Sequence, residues 1–435
     1  MDMREETMAE QTIEQAELNA ATTLFVKAHG DDDVNMLALK GCGNADVNLP
    51  LALQQIAGRQ KAKKKLPSWY LTEGLYYPLP LSMEQCSSES SALYKKRMVE
   101  RWLSEVLDKQ SVEAHHVDLT GGLGVDFSFM AKDFGRATYV EHTAALCRLA
   151  RHNLPLLGLP HADVVCEEAE DYLSAMEPVD VLFVDPARRD SHGGRTFAIE
   201  QCTPDVLHLR PLLLAKAKVI VIKLSPMLDW RKAVSDMGRD VVEVHIVAVA
   251  GECKELLLVL ESKYSKAHRE LKLYCVNDDK EEIFRFQWSE DGELRELSDA
   301  EGQESSSIEG PLPTLSTPFF LFEPHASLMK SGCFATLARR YGVRQLSANS
   351  HLFCATSDVP SFPGRRFAVD AVSSLNKKQL KPLLEGLRQA NITVRNFPLT
   401  VDELRRRLKI KEGGSTYIFA TTLADRTSVL LFCHR

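Results

Sequence analysis

Two short stretches carry residue types that can do chemistry. The first is Asp118-Leu-Thr-Gly-Gly-Leu-Gly-Val-Asp126. In it Thr120, Gly121, Gly122 and Gly124 follow an apolar run and precede a helical one. Glycines at such a junction let the backbone turn tightly and come close to a ligand. Glu141 stands 20 positions after Gly121, just past the next apolar run. A carboxylate there can accept hydrogen bonds from both hydroxyls of a ribose. The second stretch is Asp185-Pro-Ala-Arg-Arg189, which ends the strongly apolar run Val179–Val184. Open α/β sheets hold their ligands at that edge of a strand, and Arg188 or Arg189 can hold a phosphate or stack as a guanidinium plane.

Two nucleoside ligands suit the first loop, a dinucleotide and S-adenosylmethionine, and Glu141 serves either. The third glycine of a Gly-x-Gly-x-x-Gly pattern is absent, because Phe127 follows Gly124 by three. A pyrophosphate needs a helix N-terminus free of negative charge. Asp126 sits there and suits a zwitterionic methionine moiety better, while Asp118 can meet that moiety's ammonium group. S-adenosylmethionine is therefore the expected cofactor, bound by Asp118, Thr120, Gly121, Gly122, Gly124, Asp126 and Glu141.

The elements that must position these residues alternate from Ala114 onward. His116–Leu119, Ala137–Val140, Asp163–Cys166, Val179–Val184 and Lys218–Lys223 read as strands. Phe127–Asp133, Thr143–Leu157 and Pro204–Ala215 read as helices between them. Such βα repetition predicts a parallel sheet covered on both faces. Val241–Ala250 and Leu256–Leu260 are β-rich runs joined by Gly251–Glu255, too short for a crossover helix, so they predict an antiparallel hairpin. Residues 1–85 show helical periodicity only, with Arg59–Lys65 as a solvated basic face, and Ser87–Asp108 reads as a further helix. Glu270–Val276 and Ile283–Trp288 predict a strand pair, and Ser289–Thr317 a mobile linker. Phe319–Phe322 then predicts a strand, Ala326–Tyr341 a helix and Arg366–Val372 a strand. A helix at Asn376–Gln389 and a strand at Ile392–Asn396 follow. Thr400–Leu408 reads as a helix with Thr400 and Glu403 as a capping box, and Thr416–Thr422 with Thr427–Cys433 as a closing hairpin.

The chain has 435 residues and net charge −7, but Phe362–Arg435 holds 14 Lys and Arg against 6 Asp and Glu, or +8. A basic module on an acidic chain suits a nucleic-acid partner. No apolar run reaches the length of about 20 residues that spans a membrane, and the acidic N-terminus lacks a signal-peptide pattern. Ten scattered cysteines without a Cys-x-x-Cys spacing point to buried free thiols in a reducing cytoplasm, with neither zinc nor disulfides. No cysteine follows the strand at Val219–Lys223, which disfavours covalent cysteine catalysis.

Asp185–Arg189 resembles the Asp/Asn-Pro-Pro-aromatic motif of amino-group methyltransferases. The resemblance implies that Asp185 and the Pro186 carbonyl accept hydrogen bonds from a target amine, with Arg188 where an aromatic residue would stack on the base. By the same likeness an acid in Glu167–Asp171, Glu168 by preference, meets the adenine amino group. More of the chain resembles bacterial class I methyltransferases with a C-terminal THUMP-like domain. The matching stretches are Ser82–Glu89 with Leu93-Tyr-Lys95, Asp118–Asp126, Asp185–Arg189 and Lys223-Leu-Ser-Pro-Met227. Others are Gly251-Glu-Cys-Lys-Glu255, Glu323-Pro-His-Ala326 with Met329-Lys330, and Ile410-Lys-Glu-Gly-Gly414 before Tyr417–Thr421.

This resemblance implies an α/β, Rossmann-like methyltransferase sheet, mostly parallel with an antiparallel terminal hairpin. It implies a helical N-terminal region at 1–85, a methyltransferase domain at 86–262, a small ferredoxin-like α+β region at 263–361 and a basic THUMP-like domain at 362–435. Gln85–Ser88 would border the cofactor pocket. The substrate class it implies is RNA, a structured tRNA or rRNA, methylated on a base nitrogen by direct in-line transfer, with Arg405, Arg406 and Arg407 holding the RNA electrostatically. The alternatives are a non-catalytic RNA-binding protein of the same fold and a methyltransferase for a protein or small molecule.

Overall fold

The computed structural model describes residues 18–188, 199–262, 270–297 and 319–435. These divide into two compact units: residues 18–245 with 254–262, and residues 246–253 with 270–435.

The first unit opens with helices α1 (Ala20–Ala28), α2 (Val34–Lys40), α3 (Leu49–Lys65), α4 (Pro67–Leu71) and α5 (Pro80–Gln85). α6 (Glu89–Glu105) follows, started by Ser88, whose side chain accepts the Ser91 N–H. Its buried face carries Ala92, Lys95, Met98, Val99, Trp102 and Leu103 at three- and four-residue spacing. This face is pinned by polar contacts as well as by packing. Trp102 Nε1 donates to Glu243 (2.8 Å), Arg101 grips the same carboxylate with two donors, and Tyr94 Oη meets His245 Nδ1 at 2.7 Å.

The sheet of this unit comprises β1 (His115–Asp118), β2 (Arg136–Glu141), β3 (Ala162–Cys166), β4 (Val179–Val184) and β5 (Ala217–Leu224), with residues 241–245 of β6 (Val241–Val249) and residues 254–261 of β7 (Glu252–Glu261). Their order is β3-β2-β1-β4-β5-β7-β6. β1 to β5 pair in parallel, and β7 runs antiparallel to β5. Val179–Val184 is buried at every position, as a strand covered on both faces must be. Between the strands lie α7 (Val125–Met130), α8 (Ala144–Leu156), α9 (Ala169–Ala175), α10 (Val206–Lys216) and α11 (Trp230–Met237). The strand order, not the strand direction, reverses between β1 and β4, and the loops after those strands open at the sheet's C-terminal edge. In such folds this is the ligand-binding position.

In the second unit β8 (Glu270–Asn277), β9 (Lys280–Trp288) and β10 (Leu294–Glu296) form an antiparallel ladder. A seven-stranded sheet is built from β11 (Phe319–Pro324), β12 (Arg344–Gln345), β13 (Phe353–Ala355), β14 (Gly364–Ser373), β15 (Asn391–Arg395), β16 (Tyr417–Thr422) and β17 (Ser428–His434). Its order is β12-β13-β11-β14-β17-β16-β15. Helices α12 (Ala326–Ser331), α13 (Phe334–Tyr341), α14 (Lys377–Leu384) and α15 (Val401–Leu408) accompany it. One core lies around Phe319, Leu321, Phe367, Phe419 and Leu431, and a second around Leu380, Leu404, Ile418 and Leu430.

Several boundaries differ from the sequence expectation. The helix expected over 326–341 is two, because Gly332 adopts φ 73° and ends the first. The helix expected over 376–389 stops at Leu384, just after Pro382 and before the extended Glu385. The β6–β7 connection is the two-residue turn Ala250-Gly251, both with positive φ, so β7 starts at Glu252. Part of the expected linker, Leu294–Glu296, is a strand, and residues 298–317 of it lie outside the described residues. The capping box at Thr400 and Glu403 is present.

Candidate active site

The expected glycine loop leaves β1 at Asp118 and enters α7 through Gly124, which has φ 75°. Gly121 is required by space: a Cβ there would stand 2.1 Å from the Tyr139 ring. The loop is tied down at each turn. Gly121 N–H donates to Val140 O (2.8 Å), and Tyr139 Oη donates to Gly122 O (2.5 Å). Thr120 joins the two chemical stretches, since its N–H donates to Asp118 Oδ1 (2.9 Å) and its hydroxyl accepts the Asp185 N–H (2.6 Å). Glu141 is buried at the end of β2 and receives the N–H groups of Gly122 (3.0 Å) and Thr143 (2.8 Å).

These residues line a cleft of about 670 Å³ that also takes in Ser82, Gln85, Cys86, Ser87, Glu168, Glu170, Asp126, Asp185 and Lys223. That volume falls within the usual range for small-molecule sites. Asp118, Thr120, Gly121, Gly122, Asp126, Glu141, Glu168 and Asp185 are thus brought together. Gly124 stands behind the loop, and Pro186 is buried outside the lining. Glu168 is exposed at the start of α9, its side chain making no cap hydrogen bond. The Arg188 backbone pairs with Cys202; its side chain and all of Arg189 lie outside the described residues.

Sequence reasoning missed the charged floor of this cleft. Lys95, on the otherwise apolar face of α6, is fully buried between Glu255 (2.5 Å) and Asp126 (3.0 Å). Lys223, near the end of β5, reaches Asp185 Oδ2 (2.5 Å), Asp126 Oδ2 (3.3 Å) and Ser87 Oγ (3.3 Å). Ser87 Oγ also donates to Asp126 (2.7 Å), and Ser91 Oγ to Glu255 (2.9 Å). Six of the quoted stretches therefore meet in one cluster. The signal was available as two lysines in apolar surroundings, one on a helix face and one on a strand, because a buried lysine demands an acid partner.

This floor sets the protonation of the cleft. Burial pushes the Asp118 carboxyl up to about 8, although the Thr120 N–H favours its ionised form. Burial acts on Asp126 in the same sense, but Lys95 and Lys223 overcome it and hold that carboxyl at about 2. Asp126 is thereby committed to the lysines. Burial also raises Asp185, against the pull of Lys223. It disfavours the charge of Lys223 too, but Asp185, Asp126 and Glu255 outweigh that and hold the ammonium well above the ordinary lysine value.

The expected RNA-holding arginines lie on α15 in the second unit. Arg406 and Arg407 are exposed, whereas Arg405 is half-buried and faces Glu412 at 3.7 Å. Glu323, of the Glu-Pro-His-Ala stretch, is buried and ties β11 to β14 and β15 through Arg365 (2.6 Å) and Arg395 (2.9 Å), a structural role. All ten cysteines are free, but only six are buried and Cys166 is exposed. Among the described residues there is no cluster of metal-ligating side chains and no helix long and apolar enough to cross a membrane.

The strand order β3-β2-β1-β4-β5-β7-β6, with β7 reversed and the cleft over β1 and β4, defines the class I methyltransferase fold. A candidate methyltransferase from Porphyromonas gingivalis W83 superposes with a TM-score of 0.77 at 32% identity, over 95% of this chain and 97% of that one. Residues 364–435 match the family described as THUMP domain-like, and residues 320–363 a ferredoxin-like domain. The chain belongs to the family of that Porphyromonas protein, class I methyltransferases with a THUMP-like C-terminal domain. More remote are an rRNA methylase from Streptococcus thermophilus (17% identity, 38% of this chain and 93% of that one, TM-score 0.28) and a candidate methyltransferase from Streptococcus mutans solved with SAH (16%, 38% and 96%, 0.28); neither likeness carries functional weight. No curated protein sequence matches the chain.

Proposed function

We propose that this protein is an S-adenosylmethionine-dependent methyltransferase that modifies a base nitrogen of RNA. The observation that carries the proposal is the convergence of Asp118, Glu141 and Asp185 on one cleft at the C-terminal edge of the sheet. The lining fits the cofactor. Its carboxylates outnumber its cations, which suits a ligand with net positive charge and opposes a pyrophosphate. The absence of a side chain at Gly121 keeps Tyr139 packed and the loop close to its ligand.

In this reading Asp118 receives the ligand's ammonium group, and Glu141 uses its remaining lone pairs for the ribose hydroxyls. Glu168 takes the adenine amino group, and the backbone of Thr120–Gly122 with Gly124 shapes the turn around the ligand. Asp126 acts from beneath, through the lysines. When bound, the cofactor supplies an electrophilic methyl group on a sulfonium sulfur. Asp185 and the Pro186 carbonyl orient the acceptor nitrogen, so rate comes from positioning. Arg188 and Arg189 hold the acceptor nucleotide, and the basic surface of 362–435, with Arg406 and Arg407 exposed on α15, holds more distant phosphates. The four-part organisation at 1–85, 86–262, 263–361 and 362–435 separates these tasks. Ten free thiols suit a reducing cytoplasm.

The test is mass spectrometry of nucleosides in RNA from a deletion strain and its parent. One methylated base should vanish from the deletion strain and return with the wild-type gene but not with Asp185→Ala. An unchanged nucleoside profile, together with S-adenosylhomocysteine binding, would favour a protein or small-molecule acceptor or a non-catalytic binding role.

A further inference from the structure

Lys223 sits in the cleft lining, yet the binding roles above give it no ligand atom to hold. Its three ammonium N–H groups have three acceptors: Asp185 Oδ2, Asp126 Oδ2 and Ser87 Oγ. A fully engaged ammonium has no donor left for a ligand. Whatever Lys223 does for the reaction, it does through a partner, and of the three only Asp185 is substantially open to the cleft, with 39% of its side chain exposed. Among the described residues Asp185 Oδ1 has no hydrogen-bond partner.

We infer that Lys223 is the positioning residue of the acceptor site: it binds one oxygen of Asp185 and so presents the other, ionised and fixed in direction, to an N–H of the substrate. This inference rests on the proposed methyl transfer to nitrogen. A carboxyl left to itself in this cleft has two reasons to protonate. Partial burial favours its neutral form, and it faces like charges: Asp126 from α7 and Glu255 from β7. A protonated carboxyl donates from one oxygen and can turn over, so it no longer offers the amine a fixed acceptor. Lys95 is occupied with Glu255 and Asp126. Among the described residues Lys223 is the cation in contact with Asp185.

The arrangement also selects the acceptor. A fixed carboxylate oxygen with no proton accepts from a neutral amine or ring N–H and rejects an acceptor that presents only lone pairs. The inference therefore favours a nitrogen that carries hydrogen over a hydroxyl-free oxygen or a bare ring nitrogen.

The experiment is a carbon-13 NMR titration of aspartate carboxyls in the full-length protein, with the Asp185 signal assigned by Asp185→Asn. Asp185 should be ionised at pH 7 in the wild type. In Lys223→Met its midpoint should rise by about 1–3 pH units, the size of an opposite charge's effect at contact; in Lys223→Arg it should stay near the wild-type position. A wild-type Asp185 that is protonated at pH 7, or an unchanged midpoint in Lys223→Met, overturns the inference. If Lys223→Met does not fold, judged from the other aspartate signals, the wild type and Lys223→Arg decide it, since an Arg variant in which Asp185 becomes protonated overturns it equally. The titration needs no substrate. An RNA from the deletion strain that accepts no methyl group from the wild-type enzyme would count against the proposed function alone.

Discussion

Lys95 Nζ and Glu255 Oε2, 160 residues apart in sequence, meet at 2.5 Å with both side chains buried. The pair links helix α6 to strand β7 below the cleft, and Asp126 at 3.0 Å from Lys95 extends it to the start of α7. Removing one member of a buried ion pair leaves an uncompensated charge and costs about 3–5 kcal/mol. Lys95→Met should therefore lower unfolding free energy by that order in urea titrations. Lys95→Met with Glu255→Leu should recover part of the loss, because the stranded carboxylate is gone. If the single and double variants are equally destabilised, the pair is not what joins these elements.

Asp118 gives the cleft a pH dependence whose sign can be worked out. Its carboxyl is buried and pushed up to about 8, so at pH 7 the free protein holds it mostly protonated. An ammonium ligand needs it ionised, and a proton must leave as the ligand binds. Affinity for S-adenosylhomocysteine should then rise between pH 6 and 8 and level off above, and Asp118→Asn should flatten the profile. Stability follows the opposite course. A carboxyl with a raised folded-state value contributes stability below its unfolded value, near 3.8, and that contribution is lost as pH rises toward 8. Asp118→Asn should thus be more stable than the wild type above pH 8. Calorimetric titration and thermal melts across the pH series check both.

The sheet and the glycine loop were legible because their signals are local. Val179–Val184 is apolar at nearly every position, and the spacing from Gly121 to Glu141 is one βα step, so pattern alone places both. The charged floor was not legible as a unit. Ser87, Lys95, Asp126, Asp185, Lys223 and Glu255 are scattered over 169 positions, and only the fold makes them neighbours. Each of these residues lies in a stretch that carries the family likeness, yet no spacing rule links a helix-face lysine to a hairpin glutamate. The split of the 326–341 helix is a smaller case. Helical periodicity continues through Gly332, but a left-handed residue there ends one helix and turns the chain.

Gly121 should tolerate no side chain. An added Cβ would lie 2.1 Å from the Tyr139 ring, whose hydroxyl holds Gly122 O. Overpacking of this kind costs about 1–3 kcal/mol, so Gly121→Ala should lower the melting temperature and weaken S-adenosylhomocysteine binding by roughly tenfold or more, since 1.4 kcal/mol is one decade. Gly122, whose added Cβ would meet nothing closer than 3.7 Å, carries φ 54° instead. Gly122→Asn should be the milder variant, because asparagine accepts the left-handed region more readily than other side chains. Equal losses in both would show that the Tyr139 contact does not set the loop.

The three arginines of α15 should separate into two behaviours. Arg406 and Arg407 are exposed, and if they meet RNA phosphates each substitution by Gln should weaken binding of structured RNA and reduce the slope of log affinity against log salt by about one. Arg405 is half-buried, faces Glu412 at 3.7 Å and has a buried Nη1 without a hydrogen-bond partner. Its replacement by Gln should change thermal stability more than the salt slope. Fluorescence anisotropy of a labelled tRNA or rRNA fragment over a salt series, with a melt of each variant, distinguishes them. A slope unchanged in Arg406→Gln and Arg407→Gln together would remove α15 from the RNA-holding surface.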